Sequence, residues 1–250
     1  MLMPSQLVKL DIAPDLVERV YHSLLDAILD GALAPGARLT QDEIAGQLAV
    51  SRQPVLQALR LLKADGLVHD APGRGLRVAP LDGAWIASVY QVRAALDVLA
   101  ARLAAARGAL IDPALVLRGR KAARGRDVRA SIDADVDFHN AVYAASGNPL
   151  IAQSADVHWR HIRRAMGAVL QGSAVRVAVW DEHAAVADAI ARGDVEAAAE
   201  LMNAHDQRAG AYMSAQLGGV PSAPVARLRP TSSSSSATSS STPVAKGSTR

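Results

Sequence analysis

Residues 40–63, TQDEIAGQLAVSRQPVLQALRLLK, decide the fold of the N-terminal part of the chain. They predict two short amphipathic helices joined by a tight turn. Thr40 is placed to cap the first helix in a capping box with Glu43, and Ser51 is placed to cap the second, with Pro54 in its first turn. An ordinary helical hairpin is the alternative, but the paired caps and the short turn favour a helix-turn-helix and therefore a nucleic-acid partner.

The second predicted helix separates a buried side from an open side. Its apolar stripe consists of Val55, Ala58, Leu59 and Leu62. Its open side carries Arg52, Gln53, Leu56, Gln57 and Arg60. In a major groove, Arg52 and Gln53 at the N-terminus offer hydrogen-bond donors to bases and phosphates. We therefore predict DNA contacts from this helix and from the two caps, namely Thr40, Ser51, Arg52, Gln53, Gln57 and Arg60.

A two-stranded wing is predicted directly after this helix. Gly66 ends the helix, and the alternation in residues 67–69 and 76–78 predicts two short strands. Arg74 lies in the turn between them, flanked by Gly73 and Gly75, which allow the backbone to approach closely. Arg74 is therefore a candidate for insertion into a minor groove.

The run from Ile28 to Val78 resembles the winged-helix domain of the GntR family of bacterial transcription regulators, with the likeness covering residues 15–80. The matching positions are Gly31, Pro35, Gly36, Leu39, Ala45, Val50, Ser51, Arg52, Pro54, Val55, Ala58, Leu59, Gly66, Leu67 and the wing glycines. Leu56 and Gln57 stand where the family usually has Arg-Glu, and Ala49 stands where the turn usually has glycine. The loss of an outward arginine removes one contact to phosphate or guanine.

Composition indicates a chain of one or two domains, 250 residues long and half apolar. There is no cysteine, so a disulfide framework and a thiolate site are excluded. The first 14 residues resemble neither a signal peptide nor a membrane span, and we expect a cytoplasmic protein without a membrane partner. The formal net charge is +3, but the basic character is local. Residues 51–80 hold five bases and two acids, whereas residues 1–50 hold three bases and seven acids. A local concentration of basic residues is typical of a protein segment that binds in a DNA groove.

We predict three regions: a winged helix-turn-helix over residues 1–80, a helical domain over 81–217, and a disordered Ser-rich tail over 218–250. The helical domain shows six periodic segments, near 83–107, 112–123, 128–146, 149–170, 174–192 and 194–216. The predicted fold class is therefore mainly α, an N-terminal winged helix-turn-helix followed by an all-α bundle.

Three helices of the bundle carry candidate metal ligands. Asp135 and His139 are spaced i, i+4 and share one helix face. His183 and His205 lie in the fifth and sixth helices among apolar or small residues. Such a set suits a borderline divalent cation such as zinc, nickel or manganese. The alternative is that these residues are caps, solvated groups or core residues with no common site.

Residues 133–149 and 180–206 resemble the FCD ligand-binding domain of the FadR-type branch of GntR regulators. Their matching features are an Asp-Val-Asp-Phe-His run, Ser-Gly-Asn, Glu-His, and a final histidine. The resemblance implies a divalent metal, zinc first, held by Asp135, His139, His183 and His205. It also implies a small carboxylate or sugar-acid effector beside the metal, in the shorter, six-helix variety of the domain.

Two further residues are predicted to bind the effector. The resemblance implies that Arg93 faces the pocket, with Asp97 as a shortened form of the family's following acid, although a surface arginine is the alternative. Asn148 is placed to contact ligand or water, or else serves its own turn. His158 and His161 lie among arginines, which favours a solvated or interface face over a second metal site.

Three functional hypotheses follow. The first is a ligand-responsive transcription regulator that acts as a repressor and is not an enzyme. We expect it to be a homodimer, because a single winged helix-turn-helix contacts too few bases. The second is a metal-dependent hydrolytic enzyme fused to a DNA-binding module. The third is a constitutive DNA-binding protein without an effector. Operator binding that changes with an organic acid, turnover with added metal, and unchanged binding across metabolites distinguish the three.

Overall fold

The computed structural model describes residues 16–73, 75–170 and 175–218, which form helices and a small sheet. The elements are α1 (Leu16–Leu29), β1 (Arg38–Leu39), α2 (Gln41–Leu48), α3 (Arg52–Ala64), β2 (Val68–Asp70), β3 (Leu76–Val78), α4 (Gly83–Ala106), α5 (Pro113–Arg124), α6 (Val128–Ser146), α7 (Pro149–Val169), α8 (Val175–Ala191) and α9 (Val195–Gly218). The predicted fold class is confirmed. Arg74 and the predicted disorder after residue 218 lie outside the described residues, and the domain boundaries stay predictions.

The N-terminal unit has its own core, in which α1 packs on α3. The predicted stripe of α3 is fully buried. The two predicted helix caps differ from the prediction in their hydrogen bonds. Thr40 Oγ1 accepts from the Glu43 amide, as predicted, but the Glu43 carboxylate accepts from the Thr40 hydroxyl at 2.7 Å. Ser51 does stand at the N-cap of α3, yet the prediction that its side chain caps the helix is wrong, because it makes no capping hydrogen bond.

The turn between α2 and α3 contains a strained residue. Ala49 ends α2 in the left-handed region, with φ 51° and ψ 44°. Among the described residues, Ala49 is the one non-glycine position with a positive φ. A Cβ disfavours this conformation, so glycine would be less strained at this position.

The wing is a three-stranded antiparallel sheet in the order β1-β3-β2. Val68 pairs with Val78, and Arg38 pairs with Arg77. The predicted hairpin is present, with its first strand one residue later than predicted. Strand β1 was not predicted, because two residues are too few to show an alternating pattern.

The bundle consists of α4 to α9, which correspond to the six predicted segments. Helices α4 and α9 form the most extensive pair. Gly210 permits their close approach, since a Cβ at this position would lie 2.8 Å from the Tyr90 Cβ. A second hydrophobic core fills the bundle. In the part of the chain that the structure describes, no helix is both long and apolar enough to cross a membrane.

Helix α7 joins the bundle to the N-terminal unit. Arg160 Nη1 donates to Asp65 Oδ2 at 2.7 Å and to the Tyr21 hydroxyl. His161 Nε2 lies 2.9 Å from the Asp65 carbonyl oxygen. Asp65 is the C-cap of α3, so the far end of this helix is held by the bundle. The face of α7 that carries Arg160 and His161 therefore lies at an interface between the bundle and the N-terminal unit. The sequence analysis predicts either a solvated or an interface face here.

Candidate functional site

The predicted DNA-reading residues form an exposed surface on α3. Arg52, Gln53, Gln57 and Arg60 are all exposed, and Leu56 is half-buried. Arg52 Nε lies 2.5 Å from Asp42 Oδ1 in an ion pair between two largely exposed side chains. Because an exposed pair contributes little free energy, Arg52 remains available to an incoming phosphate or base.

The three predicted histidines meet in the centre of the bundle. Helix α6 supplies His139, α8 supplies His183 and α9 supplies His205, and all three are buried. Each offers a ring nitrogen, and these nitrogens lie within 4.8 Å of one another. The fourth predicted ligand, Asp135, lies on α6 one turn before His139, with its Oδ1 3.5 Å from His183 Nε2. The fold therefore brings the three histidines together at a spacing that suits one metal ion, with Asp135 beside His183.

His183 is the member of the cluster that most needs a ligand. Its side chain is fully buried, and within the described residues neither ring nitrogen has a hydrogen-bond partner. It stacks on Phe138, with ring centroids 4.2 Å apart. Burial, reinforced by the other two histidines, holds the pKa of His183 well below its ordinary value. A neutral, orphaned imidazole is costly without a partner, and a bound metal ion would satisfy it.

Carboxylates face the outer nitrogens of the other two histidines. Glu182 Oε2 lies 2.9 Å from His205 Nδ1, and Asp97 Oδ2 lies 3.0 Å from His139 Nδ1. Glu182 also accepts from Arg208 at 2.8 Å. Carboxylates in this position orient metal-ligating imidazoles through Nδ1 and leave Nε2 as the coordinating atom, although at His139 that atom is also contacted by Arg93. The donor set, with its outer carboxylates, therefore fits a divalent metal.

Arg93 lies inside the same cluster and not on the surface. It is 1% exposed, and its guanidinium lies over the Trp159 ring at 4.2 Å. Its Nη2 is 2.7 Å from His139 Nε2, and its Nε is 3.0 Å from Asp97 Oδ2. Burial alone would lower the pKa of Arg93, but the nearby carboxylates outweigh it and raise the pKa well above its ordinary value. Arg93 and a metal would therefore compete for the same nitrogen of His139.

Two buried aspartates complete the electrostatics. Burial alone would raise the pKa of Asp97, but Arg93 and then His139 hold it far below its ordinary value. The Tyr143 hydroxyl donates to Asp97 at 2.5 Å. Asp206, next to His205, has two buried oxygens without a hydrogen-bond partner in the described ranges. Burial and the proximity of Asp97 raise the pKa of Asp206 to about 7.

Sequence reasoning did not identify Asp206 or Glu182. Asp206 stands on the buried stripe of α9 with Met202, Gly210 and Met213. An acid on such a stripe was a usable signal, since buried carboxylates are rare without a partner. Glu182 gave no comparable signal, because its partner His205 lies on another helix.

A groove of about 570 Å³ between α4 and α9 reaches this cluster. Its walls include Tyr90 and Asp206, and Gln91, Asn203 and Gln207 supply polar groups. Asp206 Oδ1 is also 3.6 Å from Arg93 Nη2, so the groove and the buried cation share one residue.

Asn148 has the contacts of a helix cap. It is the N-cap of α7, and its Oδ1 accepts from the Leu150 amide at 3.1 Å. Its own amide donates to Ser146 Oγ. These contacts account for asparagine at this position, and its effector role stays a prediction.

Comparison with known proteins agrees with both halves of the fold. Residues 16–78 match the model of the gntR family of bacterial regulatory proteins, and residues 88–208 match the FCD domain. The chain is 32% identical over 196 residues to an uncharacterized HTH-type transcriptional regulator in an unstable DNA locus of Streptomyces ambofaciens, covering 74% of this chain and 80% of that one. It is 30% identical over 186 residues to a probable D-xylose utilization operon transcriptional repressor of Paenarthrobacter nicotinovorans, with 71% and 80% covered.

Solved structures share the architecture. A putative transcriptional regulator GntR from Rhodococcus sp. RHA1 superimposes with a TM-score of 0.66 at 27% identity, covering 79% of this chain and 96% of that one. McbR/YncC of E. coli gives a TM-score of 0.68 at 21% identity, with 82% and 99% covered, a likeness of fold. The chain therefore belongs to the GntR family of bacterial transcription regulators, with an FCD domain following its winged helix-turn-helix.

Proposed function

We propose that this regulator is a repressor that binds operator DNA as a homodimer. In this proposal a small carboxylate or sugar acid, bound beside a divalent metal in the FCD domain, changes its operator affinity. The observation that carries the proposal is the group of three buried histidines in which His183 has no hydrogen-bond partner within the described residues. Burying an imidazole without a hydrogen-bond partner costs free energy, and a bound ligand would offset that cost.

The reading half of the proposal depends on the exposed face of α3. Arg52, Gln53, Gln57 and Arg60 supply donors and acceptors for a major groove, with Thr40 and Ser51 at the neighbouring helix starts. Arg74 of the wing is proposed for the minor groove. Two such readers are needed for a site long enough to be specific, which is the reason for proposing a homodimer.

The effector half depends on the cluster. Asp135, His139, His183 and His205 would hold the metal, with zinc first and nickel or manganese as alternatives. When bound, the metal supplies a positive charge that attracts a carboxylate. Such a metal would need His139 Nε2, which Arg93 now contacts, and Arg93, still beside Asp97, would offer its remaining donors to the carboxylate of the effector.

Repression is proposed because one relative is named a probable transcriptional repressor. The two alternatives differ in what they require. A metal-dependent hydrolase requires turnover, whereas the curated relatives are named as regulators, so we propose that the chain is not an enzyme. A constitutive DNA-binding protein requires no ligand site, and the orphaned His183 argues against it.

The first experiment measures metal content. Purified protein and the His183→Ala variant are dialysed against zinc and analysed by mass spectrometry. We expect one zinc per wild-type chain and none per variant chain. His158→Ala, a half-exposed histidine of the same domain, is the control and should keep one zinc.

The same three proteins then test regulation. DNA that wild-type protein selects from a random library serves as the operator in gel-shift titrations against a panel of organic acids. An acid that changes wild-type affinity should leave His183→Ala unaffected. Equal zinc content in His183→Ala and wild type would remove the basis for the proposal, and hydrolysis of a panel compound would favour the enzyme.

A further inference from the structure

A second groove, distinct from the histidine cluster, lies between the N-terminal unit and the bundle. It has a volume of about 430 Å³ and is lined by both parts of the chain. The end of α1 contributes Ile28 and Leu29, and α6 contributes Val128 and Ile132. These walls are apolar, and the volume lies in the range of small-molecule sites.

Arg164 on α7 lines this groove and is 5% exposed. Its Nη2 donates to the Ala79 carbonyl oxygen, but its Nε is buried without a hydrogen-bond partner. No carboxylate of the described residues forms an ion pair with it. Burial lowers the pKa of Arg164 to about 10, with no acid opposing the shift.

Two other arginines of the bundle, one buried and one half-buried, are neutralised. Arg93 pairs with Asp97, and Arg160 pairs with Asp65. Arg164 differs because it is buried and, among the described residues, its Nε has no hydrogen-bond partner and its Nη2 donates to a neutral carbonyl oxygen. A buried guanidinium in this condition is costly, and an anion would offset the cost.

The charge of the groove as a whole is also positive. Arg129 and Arg163 line it together with Arg164, and Asp30 is the acid among the lining residues. Asp30 is already paired with Arg129 at 2.8 Å, and Arg163 is paired with Asp133 outside the lining. Within the described residues, Arg164 is therefore the lining arginine whose charge is not paired with an acid.

We propose that this groove is a second ligand site for a small organic anion, a carboxylate with an apolar body. The carboxylate binds at Arg164, and the hydrocarbon part lies against the walls from α1 and α6. Because both parts of the chain line the groove, a bound anion contacts the DNA-reading unit and the bundle together. The site needs no metal and is independent of the function proposed above.

The test uses full-length protein from which metal has been removed with EDTA, so that metal-assisted carboxylate binding is absent. Hexanoate is titrated by calorimetry into wild type, Arg164→Gln and Ala168→Trp. Ala168 is an exposed residue of the groove wall, so tryptophan there fills the groove while keeping the arginine. His183→Ala is the matched control for the histidine cluster.

We expect one hexanoate per wild-type chain, at least tenfold weaker binding in Arg164→Gln and in Ala168→Trp, and unchanged binding in His183→Ala. If circular dichroism shows that Arg164→Gln is unfolded, Ala168→Trp decides. Hexanoate binding that is absent from wild type, or that survives in the deciding variant, overturns the proposal. Inorganic phosphate that binds through Arg164 while hexanoate does not overturns the assignment of an apolar carboxylate.

Discussion

The reading face of α3 and the histidine cluster use polar residues in opposite ways. On α3 the side chains proposed to contact DNA are exposed, and Arg52 keeps about three quarters of its side-chain surface in water. In the cluster, Arg93, Asp97 and His139 are almost completely removed from water. An exposed polar group is satisfied by solvent when its ligand is absent, whereas a buried one needs a partner inside the protein.

This difference separates function from stability in one region and couples them in the other. Substitutions on the reading face should change DNA affinity and leave the fold intact. Substitutions in the cluster should change the free energy of unfolding as well as ligand binding. The predictions below test this contrast, beginning with the largest effect.

Asp97→Ala should lower the free energy of unfolding by about 3–5 kcal/mol. It leaves the buried guanidinium of Arg93 with Asp206 as its remaining carboxylate, and it removes the acceptor of the Tyr143 hydroxyl. Urea denaturation of metal-free protein measures the change.

The control is Asp137→Ala, which breaks the exposed pair with Arg118. Both side chains of that pair are about half-exposed, so its loss should cost less than about 1 kcal/mol. Equal effects of the two aspartate substitutions would contradict the coupling of stability to the cluster.

The features that the sequence predicted correctly depend on residues that are close together in the chain. Helix caps, turns and a 3.6-residue period are local patterns, and they predicted the helix-turn-helix and all six bundle helices. Pairing between distant segments is not local, so β1 was missed. Ser51 was placed correctly at a helix start, but the hydrogen bond of its side chain depends on a rotamer that no sequence pattern reports.

In the candidate site, the histidines and Asp135 were predicted from residue type and family resemblance. Their outer partners were not found as such, because Glu182 reaches His205 across a helix–helix contact. Arg164 belongs to the run of arginines on α7, and nothing in that run indicated that, within the described residues, it is the one without a paired acid. Burial of an individual side chain is a tertiary property.

On the reading face, Arg52→Ala should weaken binding to selected DNA about tenfold, roughly 1.4 kcal/mol, because it removes one contact to phosphate or base. Its unfolding free energy should stay within about 1 kcal/mol of wild type, since the pair with Asp42 is exposed. Arg192→Ala, an exposed arginine at the end of α8, removes the same charge and should keep full affinity. Identical affinities for the two variants would refute the assignment of the reading helix.

The smallest expected effect lies in the turn that orients α3. Ala49→Gly should raise the free energy of unfolding by about 0.5–1 kcal/mol, because glycine adopts the left-handed conformation without the clash of a Cβ. The gain is limited by the greater freedom of glycine in the unfolded chain. Ala64→Gly, an exposed helical position of the same unit, is the control and should lower stability by a similar amount. Urea denaturation of both variants measures the free energy of unfolding, and gel shift measures their affinity for DNA. If strain at Ala49 positions α3 for DNA, its relief will change affinity as well as stability, and the separation of the two in this region fails. We expect instead that stability rises while affinity stays the same, since Val55 and Leu59 hold α3 in the core independently of the turn.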